Sequence, residues 1–139
     1  MKQITLLAFV FLTMPLLLPA QEDGARHNIF SIYFGGGSSY IDGQQARELY
    51  KWLDAIPDIE NCEITIHSHT DDIGPLDYNE RLSRMRSESA MQKLIDKGLD
   101  PSKMSIEDFG ELNPVYDNST WEGKLRNRRV DIIIWPVNT

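Results

Sequence analysis

The sequence predicts an α/β fold in two layers, with helices packed on one face of a small sheet and the other face largely open. Segments in which apolar and polar residues alternate, typical of strands with one buried face, are interspersed with segments whose apolar residues recur every three or four positions, typical of amphipathic helices. The resulting order is βαβαβ(α)β. Right-handed crossovers between successive strands favour a parallel pair in the core of the sheet, but the periodicity does not determine the strand order.

Four segments have the alternation expected of strands. In the second of them, Ile64 and Ile66 alternate with Glu63 and His67, which predicts one buried and one open face. The predicted strands cover residues 29–34, 62–69, 104–109 and 130–135.

Three segments have the features of helices. The longest is predicted over residues 77–97, where Asp77-x-x-Glu80 resembles a capping box and Gly98 stands in the usual C-terminal capping position. Ser119-x-x-Glu122 predicts the start of a short third helix in the same way. The first helix presents one apolar face at a spacing of i, i+3, i+4 and i+7, formed by Ala46, Leu49, Tyr50 and Leu53.

The first 20 residues have the features of a secretory signal peptide. Lys2 supplies the positive charge, a long apolar run follows, and Ala20 offers a cleavage point. We therefore expect a signal peptide over residues 1–20, a flexible polar lead-in over 21–28 and a single domain over 29–139. An uncleaved anchor is the alternative, although the apolar run is short for a membrane span.

Charge and cysteine content restrict the classes of partner. The formal net charge of −7 argues against nucleic acid, which requires a basic surface, and is compatible with a ligand recognised by a few placed charges. The single cysteine, Cys62, lies on the inward face of a predicted strand, so no intramolecular disulfide is expected. No cysteine stands near residue 20, so a lipid anchor at that position is not expected either.

One cation on the long helix stands out. Arg86 falls on the same row as the apolar residues Leu82, Ala90 and Leu94. A guanidinium on the inward side of a helix needs an anion, because burying it unpaired costs several kcal/mol. The nearest candidate is Asp71, where the second strand ends. The two residues either form a purely structural ion pair or belong to a binding site.

The residues around this pair resemble the signature of OmpA-like peptidoglycan-binding domains, a family that includes the modules of MotB and of peptidoglycan-associated lipoproteins. The resemblance covers roughly residues 29–135, and three pieces match in register. These pieces are Thr70-Asp71-x-x-Gly74-x-x-x-Tyr78-Asn79-x-x-Leu82-Ser83-x-x-Arg86, then Gly110-Glu111-x-x-Pro114, and finally Asn118-x-Thr120-x-Glu122-Gly123 with Asn127-Arg128-Arg129-Val130.

The resemblance implies a small mixed sheet, with the last strand antiparallel, and a ligand in the form of the peptidoglycan stem peptide. Diaminopimelate in that peptide carries an ammonium and a carboxylate on one carbon. Asp71 would bind the ammonium and Arg86 the carboxylate in a bidentate fork. The resemblance further implies that Asn79 contacts the same ligand and that Arg128 lies close by, while Thr70 would orient the loop.

Four other positions lie near this site. Tyr78 and Leu82 are expected to pack the helix rather than to contact the ligand. Family members tend to carry Asp and Asn at the positions of Gly35 and Gly37, and the second of these often lines the pocket. Those side chains are absent from this chain.

Two enzymatic hypotheses compete with binding. His67-x-His69-x-Asp71-Asp72 is similar to the metal box of metallo-β-lactamase-type hydrolases, but that site needs further imidazoles and the chain has only three histidines. A glycosidase would need two carboxylates that face each other, whereas adjacent residues such as Asp71 and Asp72 at a strand end point to opposite sides. We therefore expect no catalytic activity, no metal and no cofactor.

The sequence thus favours a non-catalytic domain that binds diaminopimelate-containing peptidoglycan and tethers its protein to the cell wall. The periplasm or cell envelope is the expected location, with association with the outer membrane left open. A scaffold or oligomerisation module of an envelope protein complex, without wall binding, is the alternative function.

Overall fold

A computed structural model describes residues 27–112 and 114–137. The predicted signal peptide and residues 21–26 of the lead-in lie outside this part of the chain. Short 3₁₀ turns at Ile59–Asn61 and Pro101–Lys103 precede the second and third strands. The strands and helices are β1 (Asn28–Tyr33), α1 (Gly43–Asp54), β2 (Cys62–His69), α2 (Leu76–Asp96), β3 (Met104–Gly110), α3 (Trp121–Asn127) and β4 (Arg129–Pro136).

The four strands form one mixed sheet in the order β1-β4-β2-β3. Strands β2 and β3 are parallel, and β4 is antiparallel to both of its neighbours, β1 and β2. The predicted α/β class and the antiparallel last strand are confirmed. The order places the C-terminal ends of β2 and β3 at one end of the sheet, next to the start of β4. Motif residues from both halves of the signature lie at this end.

The core lies between the sheet and the helices α1 and α2. The inward residues of the strands meet in register, with Ile66 opposite Ile132 and Ile32 opposite Val130, and all four are fully buried. Leu49 and Leu53 of α1 and Ala90 and Leu94 of α2 cover them. Each fully buried aliphatic side chain of this size contributes about 1.5–3 kcal/mol relative to its exposed state. In the described ranges, no helix has the length and apolar character needed to cross a bilayer.

Both predicted capping boxes are wrong in detail. Helix α2 begins at Leu76, after Pro75, and no side chain caps it. Pro75 already has the extended backbone of a cap residue, and its carbonyl accepts the backbone N–H groups of Tyr78 and Asn79. Asp77 therefore lies inside the first turn, where it pairs with Arg81 at 3.0 Å.

Helix α3 is capped by Thr120 rather than by Ser119. The Thr120 Oγ1 accepts the backbone N–H of Gly123 at 3.0 Å, whereas the backbone N–H of Ser119 is donated to Asp117 Oδ1 at 2.8 Å. At Gly123, a Cβ atom would lie 1.8 Å from the carbonyl oxygen of Asp117. Only glycine therefore fits this first turn, which explains the glycine of the Glu122-Gly123 piece.

The face of the sheet opposite the helices is less open than expected. His69, Arg129 and Ile133 project from this face and expose only 6%, 5% and 8% of their surface. Tyr116, in the loop before α3, lies over the Arg129 guanidinium at 5.3 Å. Arg129 Nε in turn bonds both carboxylate oxygens of Asp131 at 3.0–3.1 Å. A charged cluster with little solvent contact thus occupies the end of this face nearest the motif residues.

Burial in this cluster makes stability depend on pH. Desolvation, assisted by the nearby Arg129 charge, lowers the pKa of His69 from 6.5 to about 4. Between these two values the unfolded chain binds a proton at His69 that the folded chain does not, so stability rises with pH and is lost as the pH falls below 6.5. We expect the free energy of unfolding to fall by about 2 kcal/mol between pH 7 and pH 5.

Urea unfolding of the parent and of His69→Gln at both pH values measures this effect. The glutamine variant should show a flatter pH dependence over this interval, whereas His67→Gln, on the same strand face, should retain the slope of the parent. An unchanged slope in His69→Gln would assign the pH dependence to other groups.

Candidate functional site

A cavity of about 330 Å³ opens at the edge of the sheet where β2 ends. Its walls come from the loop between β1 and α1, the loop between β2 and α2, the first turns of α2, and the junction of α3 with β4. Three charged side chains and one amide line it: Asp71, Arg86, Arg128 and Asn79. Ile73, Pro75 and Leu82 form apolar walls, and Tyr78 adds an aromatic ring with a hydroxyl. The structure thus brings together four of the five predicted site residues.

Asp71 is the only carboxylate among the lining residues of this cavity. Its Oδ2 accepts the Nε–H of Arg128 at 2.5 Å, and its Oδ1 accepts the backbone N–H of Ile73 at 3.2 Å. Asp71 and Arg128 expose only 6% and 7% of their surface. The expected pairing of Asp71 with Arg86 is therefore wrong: the ion pair within bonding distance joins Asp71 to Arg128.

Arg86 is held by backbone carbonyls instead of by a carboxylate. It donates from Nε to Ser38 at 2.9 Å, from Nη1 to His69 at 3.1 Å and from Nη2 to Gly35 at 3.1 Å. The face of its guanidinium lies 4.9 Å from the Phe34 ring centroid. Arg86 is only 1% exposed, and it ties the β1–α1 loop to the end of β2.

Burial changes the electrostatics of Arg86 without removing its charge. Desolvation lowers the pKa of this guanidinium to about 10, and the charge of Asp71 opposes the shift while that of Arg128 adds to it. Arg86 is still protonated at neutral pH. The cavity therefore contains a positive charge that is solvated mainly by backbone dipoles, which stabilise a cation without cancelling its charge.

The Arg128 guanidinium lies between the β1–α1 loop and helix α3. A Cβ atom added to Gly36 would lie 3.5 Å from its Nη1, and the Trp121 ring lies 5.0 Å from its Cζ on the α3 side. The loop and the aromatic ring restrict the guanidinium, while Asp71 fixes its Nε. Arg128 thus pairs with Asp71 and also lines the cavity. The resemblance implied only that Arg128 lies close to the site.

Asn79 presents an unused acceptor. Its Nδ2 donates to the Asp71 carbonyl at 3.3 Å and to Glu111 Oε2 at 2.7 Å. Its Oδ1 is buried and has no hydrogen-bond partner in the described part of the chain. Buried amide oxygens are normally bonded, so this unsatisfied acceptor, on a residue that lines the cavity, is a candidate partner for a donor from a ligand.

Glu111 was missed as a site residue. Its carboxylate accepts a hydrogen bond from the Asn79 amide and so orients it, although Glu111 itself does not line the cavity. The Gly110-Glu111-x-x-Pro114 piece of the signature is the sequence signal that could have identified this residue. Thr70, conversely, does not line the cavity. Its backbone N–H is donated to Gly110 at 2.7 Å, which joins the ends of β2 and β3, and its hydroxyl is buried without a partner in the described residues.

Charges of both signs lie at this site. Two guanidinium groups and one carboxylate line the cavity, and Glu111 adds a second carboxylate behind Asn79. Such a site favours a ligand that carries both signs of charge close together, because each sign then meets its opposite. Asp71 is already paired with Arg128 within the fold, whereas Arg86 has only carbonyl partners among the described residues.

The histidines of the HxHxD run lie apart from the cavity, on the other face of the sheet. His67 Nε2 stands 3.6 Å from Glu107, and His69 Nε2 stands 3.9 Å from Asp131. Across residues 27–112 and 114–137, no group of three or more His, Cys, Asp or Glu side chains is arranged to hold a metal ion.

A family model described as the OmpA family matches residues 33–128, a range that contains all the cavity residues. The chain therefore belongs to the OmpA family. The family membership predicted from the sequence motifs is thus confirmed.

Relatives of the chain include envelope proteins. The chain is 32% identical over 107 residues to the probable lipoprotein YiaD of Escherichia coli (strain K12), a match that covers 77% of this chain and 49% of YiaD. It is 27% identical over 103 residues to the peptidoglycan-binding protein ArfA of Mycobacterium bovis, covering 74% of this chain and 32% of ArfA. The chain thus spans about half or less of the length of these two relatives.

Solved structures share the fold. The crystal structure of the peptidoglycan-associated lipoprotein from Burkholderia pseudomallei matches with a TM-score of 0.63 and 25% identity, covering 75% of this chain and 88% of that one. The periplasmic domain of Helicobacter pylori MotB matches with a TM-score of 0.63 and 24% identity, covering 79% and 76%. The second likeness supports the fold alone.

Proposed function

We propose that this domain binds peptidoglycan through the diaminopimelate of the stem peptide, and that it does so without catalysis. The observation that carries this proposal is the cavity in which Asp71, Asn79, Arg86 and Arg128 present opposite charges and an open acceptor side by side. Diaminopimelate has the matching zwitterion on one carbon. Membership of the OmpA family, and a relative that is named a peptidoglycan-binding protein, support the same ligand class.

The ammonium of the ligand would bind between two acceptors. Among the described residues, Asp71 Oδ1 accepts only the Ile73 N–H and Asn79 Oδ1 accepts no hydrogen bond, so both have unused lone pairs. Asp71 Oδ2 is already taken by Arg128. The ammonium, with three N–H groups, can therefore use acceptors that the folded domain leaves open.

The carboxylate of the ligand would bind to the two guanidinium groups together. A guanidinium has five N–H groups; Arg86 donates three of them to carbonyls, and Arg128 donates its Nε–H to Asp71. The remaining N–H groups on the two residues are available to a ligand. The sequence predicted that Arg86 alone would bind the carboxylate in a bidentate fork. In this arrangement Arg86 supplies only part of the N–H donors and Arg128 supplies the rest.

The proposed cellular role is attachment of the protein to the cell wall within the envelope. Several relatives are named outer membrane proteins or lipoproteins, which supports an envelope location. We propose that residues 1–20 direct export and that the domain over residues 29–139 then meets the wall in the periplasm, with or without an association with the outer membrane.

Co-sedimentation with purified diaminopimelate-type sacculi tests this function. We expect the protein to pellet with the sacculi and to return to the supernatant when soluble muropeptide is added in excess. A protein that stays in the supernatant at all sacculus concentrations, yet associates with itself or with envelope proteins, would instead support the scaffold function.

A further inference from the structure

Tyr78 does not simply pack α2, as the sequence suggested, but extends along the cavity from the helix to the β1–α1 loop. Its ring lies against Gly74, where an added Cβ would stand 3.3 Å from Cδ1. Its hydroxyl reaches Gly37, where an added Cβ would stand only 3.0 Å from the phenolic oxygen. Because Gly37 and Gly74 have no side chains, the Tyr78 side chain can occupy the space between them.

A side chain at position 37 would crowd the Tyr78 hydroxyl. Gly37 has a φ of +66°, and any side chain there would begin within 3.0 Å of the Tyr78 oxygen. The hydroxyl of Tyr78 thus occupies the space into which a side chain at position 37 would extend. In this chain, the polar group on that wall comes from α2 instead of from the loop.

The Tyr78 hydroxyl is also available to a ligand. Tyr78 lines the cavity and is 41% exposed, and its oxygen forms no hydrogen bond to a residue in the described ranges. Tyr78 and Arg86 line the same cavity. A phenolic O–H near a buried guanidinium is well placed to donate to an anion that binds there.

We infer that the Tyr78 hydroxyl is a ligand-binding group of this cavity, donating to the diaminopimelate carboxylate in place of a polar side chain at position 37. The inference rests on the proposed function, because it concerns the same ligand. It assigns a specificity-determining role to a residue of α2 and explains how the wall at Gly37 is polar although the loop carries glycines at positions 35–37.

Tyr78→Phe tests this role by removing a single oxygen atom. The ring remains against Gly74, so the variant should unfold at the same temperature as the parent. Loss of one hydrogen bond should weaken binding of a diaminopimelate-containing muropeptide about two- to tenfold in isothermal titration calorimetry. Tyr40→Phe is the matched control, because Tyr40 is 75% exposed and does not line the cavity, and its Kd should equal that of the parent.

A second pair of variants tests the exchange between positions 78 and 37. Gly37→Asn alone should weaken binding, because its Cβ meets the Tyr78 oxygen, whereas Gly37→Asn combined with Tyr78→Phe should recover much of the affinity. Asparagine is suited to this exchange since it tolerates a positive φ better than most residues.

The outcomes separate the two proposals. If the parent binds the muropeptide and Tyr78→Phe binds equally well, the role of Tyr78 is wrong while the proposed function stands. If the parent itself does not bind, the proposed function fails and the role of Tyr78 fails with it.

Discussion

Arg86→Ala should lower the free energy of unfolding by about 3–5 kcal/mol, because three hydrogen bonds from a charged donor, each worth roughly 1.5–3 kcal/mol before the cost of burying the charge is subtracted, are lost together. The substitution leaves the carbonyls of Gly35, Ser38 and His69 without their donor and opens a cavity beneath the β1–α1 loop. Small domains are stable by only about 5–15 kcal/mol, so the variant should be partly unfolded near physiological temperature. Chemical denaturation followed by circular dichroism measures the effect.

Two companion variants define what Arg86 contributes. Arg84→Ala is the matched control on the same helix, because its side chain is 69% exposed, and its stability should stay within about 0.5 kcal/mol of the parent. Arg86→Lys keeps the charge but cannot donate in three fixed directions, so it should be destabilised nearly as much as the alanine variant. Stability of Arg86→Ala equal to that of Arg84→Ala would contradict the structural role of the three carbonyl contacts.

Asp71→Ala should reduce the affinity for a diaminopimelate-containing muropeptide by about 2–5 kcal/mol, which places binding near or beyond the detection limit of calorimetry. The substitution removes the acceptor for the ligand ammonium. It also releases Arg128, whose guanidinium then faces the ammonium without a neutralising carboxylate. The expected loss is therefore larger than for one hydrogen bond.

Asp72→Ala serves as the control for this loss. Asp72 is the adjacent carboxylate, but it is 47% exposed and pairs with Lys124 of α3 outside the cavity. We expect it to bind muropeptide like the parent. Wild-type affinity in Asp71→Ala, with the fold intact by circular dichroism, would remove Asp71 from the site.

The fold was largely predictable because its signals are local and repeated. The alternation around Ile64 and Ile66 gave the inward face of β2, whose observed bounds, Cys62–His69, agree with the prediction. Caps depend on single contacts and were less predictable. Pro75 fixed the start of α2 one residue before the expected one, and Thr120 replaced Ser119 because its Oγ1 is the one that reaches Gly123 N.

Most of the polar residues that line the cavity could be predicted, but their pairing could not. The inward position of Arg86 was correct, and the residue is only 1% exposed. Its hydrogen-bond partners are backbone carbonyls. Every residue has such a carbonyl, so the sequence does not indicate which ones Arg86 contacts. The partner of Asp71 lies 57 residues away in the chain, on the far side of α3, and only the arrangement of β4 beside β2 brings Arg128 to it.

The contribution of Tyr78 could not be read from the sequence for a related reason. A tyrosine near the start of a helix usually packs against its neighbours, and the sequence shows Gly37 only as a missing side chain. The relation between the two residues depends on a contact across the cavity, between the helix and a loop 41 positions earlier, that neither local pattern contains.

The measurement that tests the central claim most directly compares two ligands that differ in one carboxylate. Calorimetric titrations would use a diaminopimelate-containing muropeptide and the corresponding lysine-containing muropeptide, which keeps the side-chain ammonium but lacks the carboxylate beside it. With the lysine form, Arg86 and Arg128 would gain no anion although they remain buried, and sites built to bond a group strongly reject analogues that lack it. We expect measurable binding of the diaminopimelate form and little or none of the lysine form, with the preference retained at moderate salt because buried charges are weakly screened. Equal affinity for the two muropeptides would contradict the recognition of a zwitterion by this cavity.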